Sequence, residues 1–183
     1  MPFYVHAQDG PGVGQRMLDL TEAHWSYMDR FADRLIVRGP TLSDDGAEHT
    51  GSVHVVDLAD RASAERFATE EPYWLAGLYR EITTARIRVL LHREPAEPDA
   101  PLALVTGRWP AGPRDTSLSG DPDGRLEFVA VLLDDDESHS TGIVAIVRAR
   151  PDEALEIVQA LAGRLPGEPV TLTAQCWERG GRR

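Results

Sequence analysis

Residues 21–58 read TEAHWSYMDRFADRLIVRGPTLSDDGAEHTGSVHVVDL, and the change of hydrophobic period inside this stretch decides the fold. Its first part continues a helical pattern in which Val13, Met17, Leu20, Tyr27 or Met28, Phe31 and Leu35 recur on one face, and His24 falls within that face. The helix is expected to end near Leu35. Gly39-Pro40 then breaks the chain, and Thr50-Gly51-Ser52 opens a β-branched strand that runs to Leu58. A titratable ring therefore interrupts an apolar stripe, between a first strand and a second pair.

Working outward, Phe3 to Gln8 alternates apolar and polar residues, the period of a half-buried strand, with Asp9 at its carboxyl end. Gly10-Pro-Gly12-Val-Gly14 lies between strand and helix, but its third glycine comes too early for a dinucleotide-binding fingerprint. Ile36–Leu42 and Ser52–Leu58 are expected as the second and third strands, joined through Asp44-Asp45-Gly46. Asp60 is placed to cap a helix carrying Ala64, Phe67 and Ala68, which Pro72 interrupts, leaving Tyr73–Tyr79 as a second apolar turn. Thr84–Leu91 is a fourth strand. The order βαββαβ is the ferredoxin-like split βαβ unit.

The segment HREPAEPDAP, residues 92–101, cannot continue a sheet and reads as a linker. Three regions follow: a ferredoxin-like domain over 1–92, a linker over 93–101 and a second domain over 102–183. The second is expected to hold strands at Leu102–Trp109, Leu126–Leu133 and Val170–Trp177, with a loop over Pro110–Arg125 and a solvated acidic hairpin tip at Asp134–Glu137. The pattern threonine-glycine, alternating strand, helix start occurs at Thr50 and again at Thr141. That echo makes the second domain a degenerate ferredoxin-like copy that has lost its first helix. The fold class is α+β.

Composition removes several functions. With 183 residues, 42% hydrophobic and 27% charged, the chain has room for one ordinary domain or two small ones, and no apolar run approaches the ~18 residues of a membrane span. The first ten residues read as strand and turn rather than a secretion signal, so a cytoplasmic location is expected. The net charge of −11 argues against nucleic acid as a partner. All 19 basic residues are arginine, which excludes lysine Schiff-base chemistry and a Walker lysine. Cys176 is the sole cysteine, so there is no internal disulfide and no multi-cysteine metal site. His54 and Asp57 stand three apart on a strand and face opposite ways, so no metal site is expected there either. His49, His92 and His139 fall in loops or at strand ends and read as solvated.

Residues 1 to about 92 resemble the YciI-like family of dimeric α/β-barrel proteins. The likeness is carried by Y-V-H-A-Q-D ending at Asp9, His24 in the first helix, Gly39-Pro40, Thr50-Gly51-Ser52, and E-P-Y-W-L-A-G-L from Glu71. The family shows Asp where this chain has Glu71, and its single-domain members lack residues 93–183. The echo at Thr50 and Thr141 and the linker predict that the two halves pack sheet against sheet as a barrel-like pseudo-dimer, reproducing the barrel that single-domain relatives make by dimerising. A homodimer is also admitted. The resemblance implies a small-molecule cleft between helix and sheet. It further implies a His24–Asp9 pair in that cleft, in a family that includes a dehydrochlorinase.

A carboxylate beside imidazole fixes its tautomer and raises its basicity, so such a pair moves protons near neutral pH. The reading that results is an enzyme with no cofactor, acting on a small polyketide or aromatic metabolite by elimination, isomerisation or cyclisation, a lyase or isomerase/cyclase of specialised bacterial metabolism. The alternative is a non-catalytic binding or interaction module that uses the same cleft. Asp9 is equally placed to cap the turn before the first helix. Strand parity groups Tyr4, His6, Ser52, His54, Arg86 and Arg88 opposite Phe3, Val5, Val53, Val55, Ile87 and Val89. With Tyr73 from the E-P-Y motif, that polar set is expected to line the cleft, its two arginines favouring an acidic or phenolic ligand.

Overall fold

The alternation at the amino end becomes β1 (Pro2–Asp9), and the threonine-glycine stretch becomes β3 (His49–Asp57), which pairs antiparallel with β1. The computed structural model describes residues 2–95, 97, 99–113, 123–162 and 171–182. Phe3 stands opposite Val56, Val5 opposite His54 and Ala7 opposite Ser52. Residues directly opposite share a face. Phe3, Val5 and Val56 therefore bury together against Tyr27 and Met28 of α1 (Gly14–Asp29) and Ala64, Phe67 and Ala68 of α2 (Arg61–Thr69). A second cluster joins Ala7, Val13, Met17, Tyr73 and Leu78.

The first helix stops earlier than its stripe suggests. After Asp29 the N–H groups of Arg30 and Phe31 reach back three residues, to the carbonyls of Tyr27 at 3.2 Å and Met28 at 2.9 Å, tightening the helix into a turn. Leu35 thus belongs to β2 (Leu35–Leu42), which pairs with the other edge of β3. Asp60 caps α2 as expected, accepting from the Ser63 N–H at 2.7 Å. Pro72 opens a single short turn, α3 (Pro72–Leu75), which Gly77 ends at φ +66°. β4 (Tyr79–His92) consequently begins at Tyr79, ahead of the expected Thr84.

The chain divides into two units, residues 1–85 with 179–183, and residues 86–178. The division falls inside β4, not in the proline-rich segment after it, of which Ala96 and Pro98 lie outside the described residues. In the first unit the strand order is β4-β1-β3-β2. The second unit holds β5 (Leu102–Pro113), β6 (Leu126–Leu133), β7 (His139–Val147), α4 (Pro151–Ala162) and β8 (Thr171–Trp177), in the order β8-β5-β7-β6 with the end of β4 beside β6. Both units thus carry one antiparallel, ferredoxin-like strand order.

α4 covers its sheet through Ala154, Val158 and Leu161, set against Ala103, Val105, Ile143 and Val147. The expected loop over 110–125 starts later than supposed, because β5 runs on to Pro113; residues 114–122 lie outside the described residues. So do Pro169 and Val170 before β8.

The echo has a steric origin. A Cβ on Gly51 would sit 2.3 Å from the Ala7 carbonyl oxygen of β1, and one on Gly142 would sit 2.4 Å from the Gly107 carbonyl oxygen of β5. At the same place in each sheet, only glycine lets neighbouring strands approach this closely.

Candidate active site

His24 is held in the middle of α1, and the element that meets it is α3. Its Nδ1 lies 2.5 Å from Oε1 of Glu71, while Oε2 of the same carboxylate accepts from the Trp74 N–H at 3.0 Å and so caps α3. Both side chains are largely buried, at 12% and 4% exposure. The His24 ring stacks on Tyr73, with centroids 4.5 Å apart and planes 4° from parallel, and the Tyr73 hydroxyl donates to Thr21 Oγ1 at 3.3 Å. Ring position and tautomer are thus both fixed. With Nδ1 engaged by the carboxylate, Nε2 is the nitrogen left for chemistry.

The partner of His24 is therefore Glu71 and not Asp9. Asp9, on the last position of β1, lies 2.7 Å from Nδ1 of His49, the first residue of β3. Nor does Asp9 cap α1: the cap position is Val13, with no side-chain hydrogen bond, four residues further on. The cause is the antiparallel register, in which Gln8 opposite Gly51 brings the end of β1 to the start of β3. His49 is exposed, as expected, and is also tied in by this contact. Its Nε2 lies 3.4 Å from Ser52 Oγ, which also accepts from the Tyr79 hydroxyl at 3.0 Å. Burial holds the Tyr79 phenol well above its ordinary pKa, so it stays a donor.

These groups open on one cavity of about 260 Å³ in the first unit, lined by His24, Trp25, Arg38, His49, Ser52, His54 and Tyr73, with residues 179–181 on its rim. His54 sits beneath it, its rings 6.0 Å from those of His24. Burial, and then the charges of His24, Arg38 and His6, hold His54 well below its usual pKa, so it is neutral.

Of the expected ligand contacts, Ser52, His54 and Tyr73 line this cavity, and Tyr4, His6, Arg86 and Arg88 do not. Strand parity had put Val53 and Val55 beside Phe3 and Val5; the register puts Ser52 and His54 there, and sets His6 opposite Val53 and Tyr4 opposite Val55 on the other face. β3 is apolar on both faces, so alternation alone leaves its phase undefined. Burial pushes His6 down to about 4. Arg86 and Arg88 belong to the second unit, where Arg86 pairs with Glu137 and Arg88 stands opposite Val131. The cavity's own cations, Arg38 and Arg179, were not singled out by the sequence. Among the described residues the grouping of Asp134, Asp136 and His139 also has atoms close enough for a cation, but it is an exposed turn whose members bond one another.

Residues 1–88 match the model of the YCII-related domain. Three solved structures are similar. The 5-chloro-2-hydroxyhydroquinone dehydrochlorinase of Burkholderia phenoliruptrix, in complex with 2,5-dihydroxybenzoquinone, is 28% identical over 47% of this chain and 92% of its own, with a TM-score of 0.44. A "putative monooxygenase" from Lactobacillus acidophilus is 9% identical over 98% of this chain and 97% of its own, with a TM-score of 0.51. Another, from Fusobacterium nucleatum, is 10% identical over 100% of this chain and 95% of its own, with a TM-score of 0.55. The latter two likenesses show the fold. No curated protein matches the chain.

Proposed function

We propose that this chain is an enzyme performing general acid/base chemistry on a small organic molecule, carried by the buried His24–Glu71 pair within residues 1–88, which match the model of the YCII-related domain. The carrying observation is the 2.5 Å contact between His24 Nδ1 and Glu71 Oε1 on the wall of a cavity. In this reading Nε2 takes a proton from the substrate and returns it at a second atom or to a leaving group, while Glu71 stabilises the imidazolium formed in between. Elimination, isomerisation and cyclisation all reduce to that transfer. Every proton movement in it uses side chains of this chain.

The test is proton exchange at carbon, followed by NMR in deuterated buffer over a panel of phenols, hydroxylated benzoquinones and 1,3-diketones, with release of any leaving group read in parallel. The native protein is expected to accelerate exchange or release for one class. His24→Gln keeps volume and a hydrogen-bonding end but loses the titratable nitrogen, and should cost roughly 10²- to 10⁴-fold in rate. Full turnover in a folded His24→Gln protein would reduce His24 to a buried polar residue.

A further inference from the structure

We propose that residues 179–182 are the specificity-determining wall of this cavity, clasped shut by Arg182, and that together with Arg38 they select a compact anionic aromatic substrate. The inference rests on the preceding reading of the cavity as a substrate site, but it concerns what binds there and not the proton transfer.

The clasp is built from contacts that converge on one short segment. Arg182 donates to both oxygens of Glu22, at 2.7 and 2.9 Å, and to Oδ2 of Asp29 at 2.7 Å, with its guanidinium carbon 5.7 Å from the centre of the Trp25 ring. Glu22, Trp25 and Asp29 lie on α1, on the helix that carries His24. At the other end of the segment the Gly180 N–H donates to the Arg38 carbonyl at 2.9 Å. Along this segment, Arg179, Gly180 and Gly181 line the cavity. The fit is close: a Cβ on Gly180 would stand 2.9 Å from the Cα of Gly39, so the segment lies directly on the backbone of β2.

The composition of the wall selects charge and size. Arg38, which also donates to Asp29 Oδ1 at 3.5 Å, and Arg179 are cations on the lining, and among the described residues no Asp or Glu side chain lines it. The Glu71 carboxylate of the pair is committed to His24 and the α3 cap. Two arginines and two flat rings, Trp25 and Tyr73, on one lining suit a planar anion, which Arg holds through paired donors. A cavity of about 260 Å³ exceeds the roughly 150 Å³ that accepts benzene and falls below the range of drug-sized sites, which points to one substituted ring. Because the Arg182 ion pairs are exposed, they are individually weak, so the wall is held lightly enough to admit a ligand.

The experiment is direct binding to the full chain, read by tryptophan fluorescence and calorimetry, with three probes: 4-nitrocatechol above its first ionisation, the neutral ring 4-nitroanisole, and the tricyclic anion anthraquinone-2-sulfonate. The native protein should prefer 4-nitrocatechol over both others. Arg182→Gln should weaken 4-nitrocatechol by about two- to fivefold, the worth of an exposed ion-pair network, and narrow or reverse its advantage over the tricyclic anion. Gly180→Ala, which keeps Arg182 but wedges the segment off β2, should produce the same loosening. High salt should narrow the advantage of 4-nitrocatechol over the tricyclic anion in the native protein and change that ranking between the two anions little in the variant. The probe ranking is read without turnover, so loss of the catalytic reading leaves it intact and loss of the ranking leaves the catalytic reading intact. An unchanged probe ranking in Arg182→Gln and Gly180→Ala, or a native preference for the neutral ring, would overturn the proposal.

Discussion

Glu71 performs two tasks with one carboxylate, orienting His24 through Oε1 and capping α3 through Oε2. Glu71→Gln preserves an acceptor for the Trp74 N–H but removes the charge that balances an imidazolium, so the rate should fall at least about tenfold while the fold persists. Asp9→Asn should cost less, since Asp9 lies against His49 and not against the proton carrier. Steady-state rates for the two variants decide the order, and a larger defect in Asp9→Asn would restore Asp9 to the central role. His24 was legible in the sequence because a polar ring within an apolar helical stripe demands a partner. Which acid supplies it was not legible, because Asp9 and Glu71 both precede helical turns and only tertiary contact between α1 and α3 chooses between them. His49 was missed for a related reason: its partner lies 40 residues away and is brought to it by strand register alone.

Element order was readable almost throughout, because most changes between period 3.6 and period 2 are marked by Gly, Pro or a capping Asp. Boundaries failed where one residue satisfied both patterns. Leu35 continues the helical stripe and equally begins the strand alternation of β2, and only the tightened turn after Asp29 separates them. The face of β3 failed because valines at 53, 55 and 56 are all buried and carry no phase. The threonine-glycine echo, in contrast, encoded a real constraint, which predicts paired behaviour in the two units. Gly51→Ala and Gly142→Ala each force a methyl group against a carbonyl oxygen of the adjacent strand, and each should destabilise by about 1–3 kcal/mol, the usual cost of overpacking. Urea unfolding measures both. A neutral result at either site would mean that the strands part there at no cost and that the echo has no steric basis.

The two units share a strand order, and the cavity, the buried His54, the half-buried His6 and residues 179–182 all belong to the first. That concentration makes stability depend on pH in a stated direction. His6 is held at about 4 by burial, against an ordinary value near 6.5, and His54 is displaced the same way. Above pH 6.5 both are neutral folded or unfolded and contribute no pH dependence. Below it the unfolded chain binds protons that the native chain refuses, so stability falls as the pH drops from about 6.5 toward 4. His6 alone accounts for about 2 kcal/mol by pH 5, at 1.36 kcal/mol for each pH unit below its ordinary value. An opposing effect is smaller: at a net charge of −11, acidification relieves self-repulsion, but that charge is spread over the surface and screened by salt. Carboxylates act in a lower window. Asp134, held at about 2 largely by the His139 N–H, and Glu22 and Asp29, held down by Arg182, lose their contributions only below the ordinary carboxylate values. The urea midpoint should therefore drop between pH 7 and pH 5, before any carboxylate effect sets in, and His6→Gln should flatten the slope by the His6 share. A native midpoint that holds constant over this interval would mean that water reaches both imidazoles, and the cavity floor at His54 would then be open rather than dry.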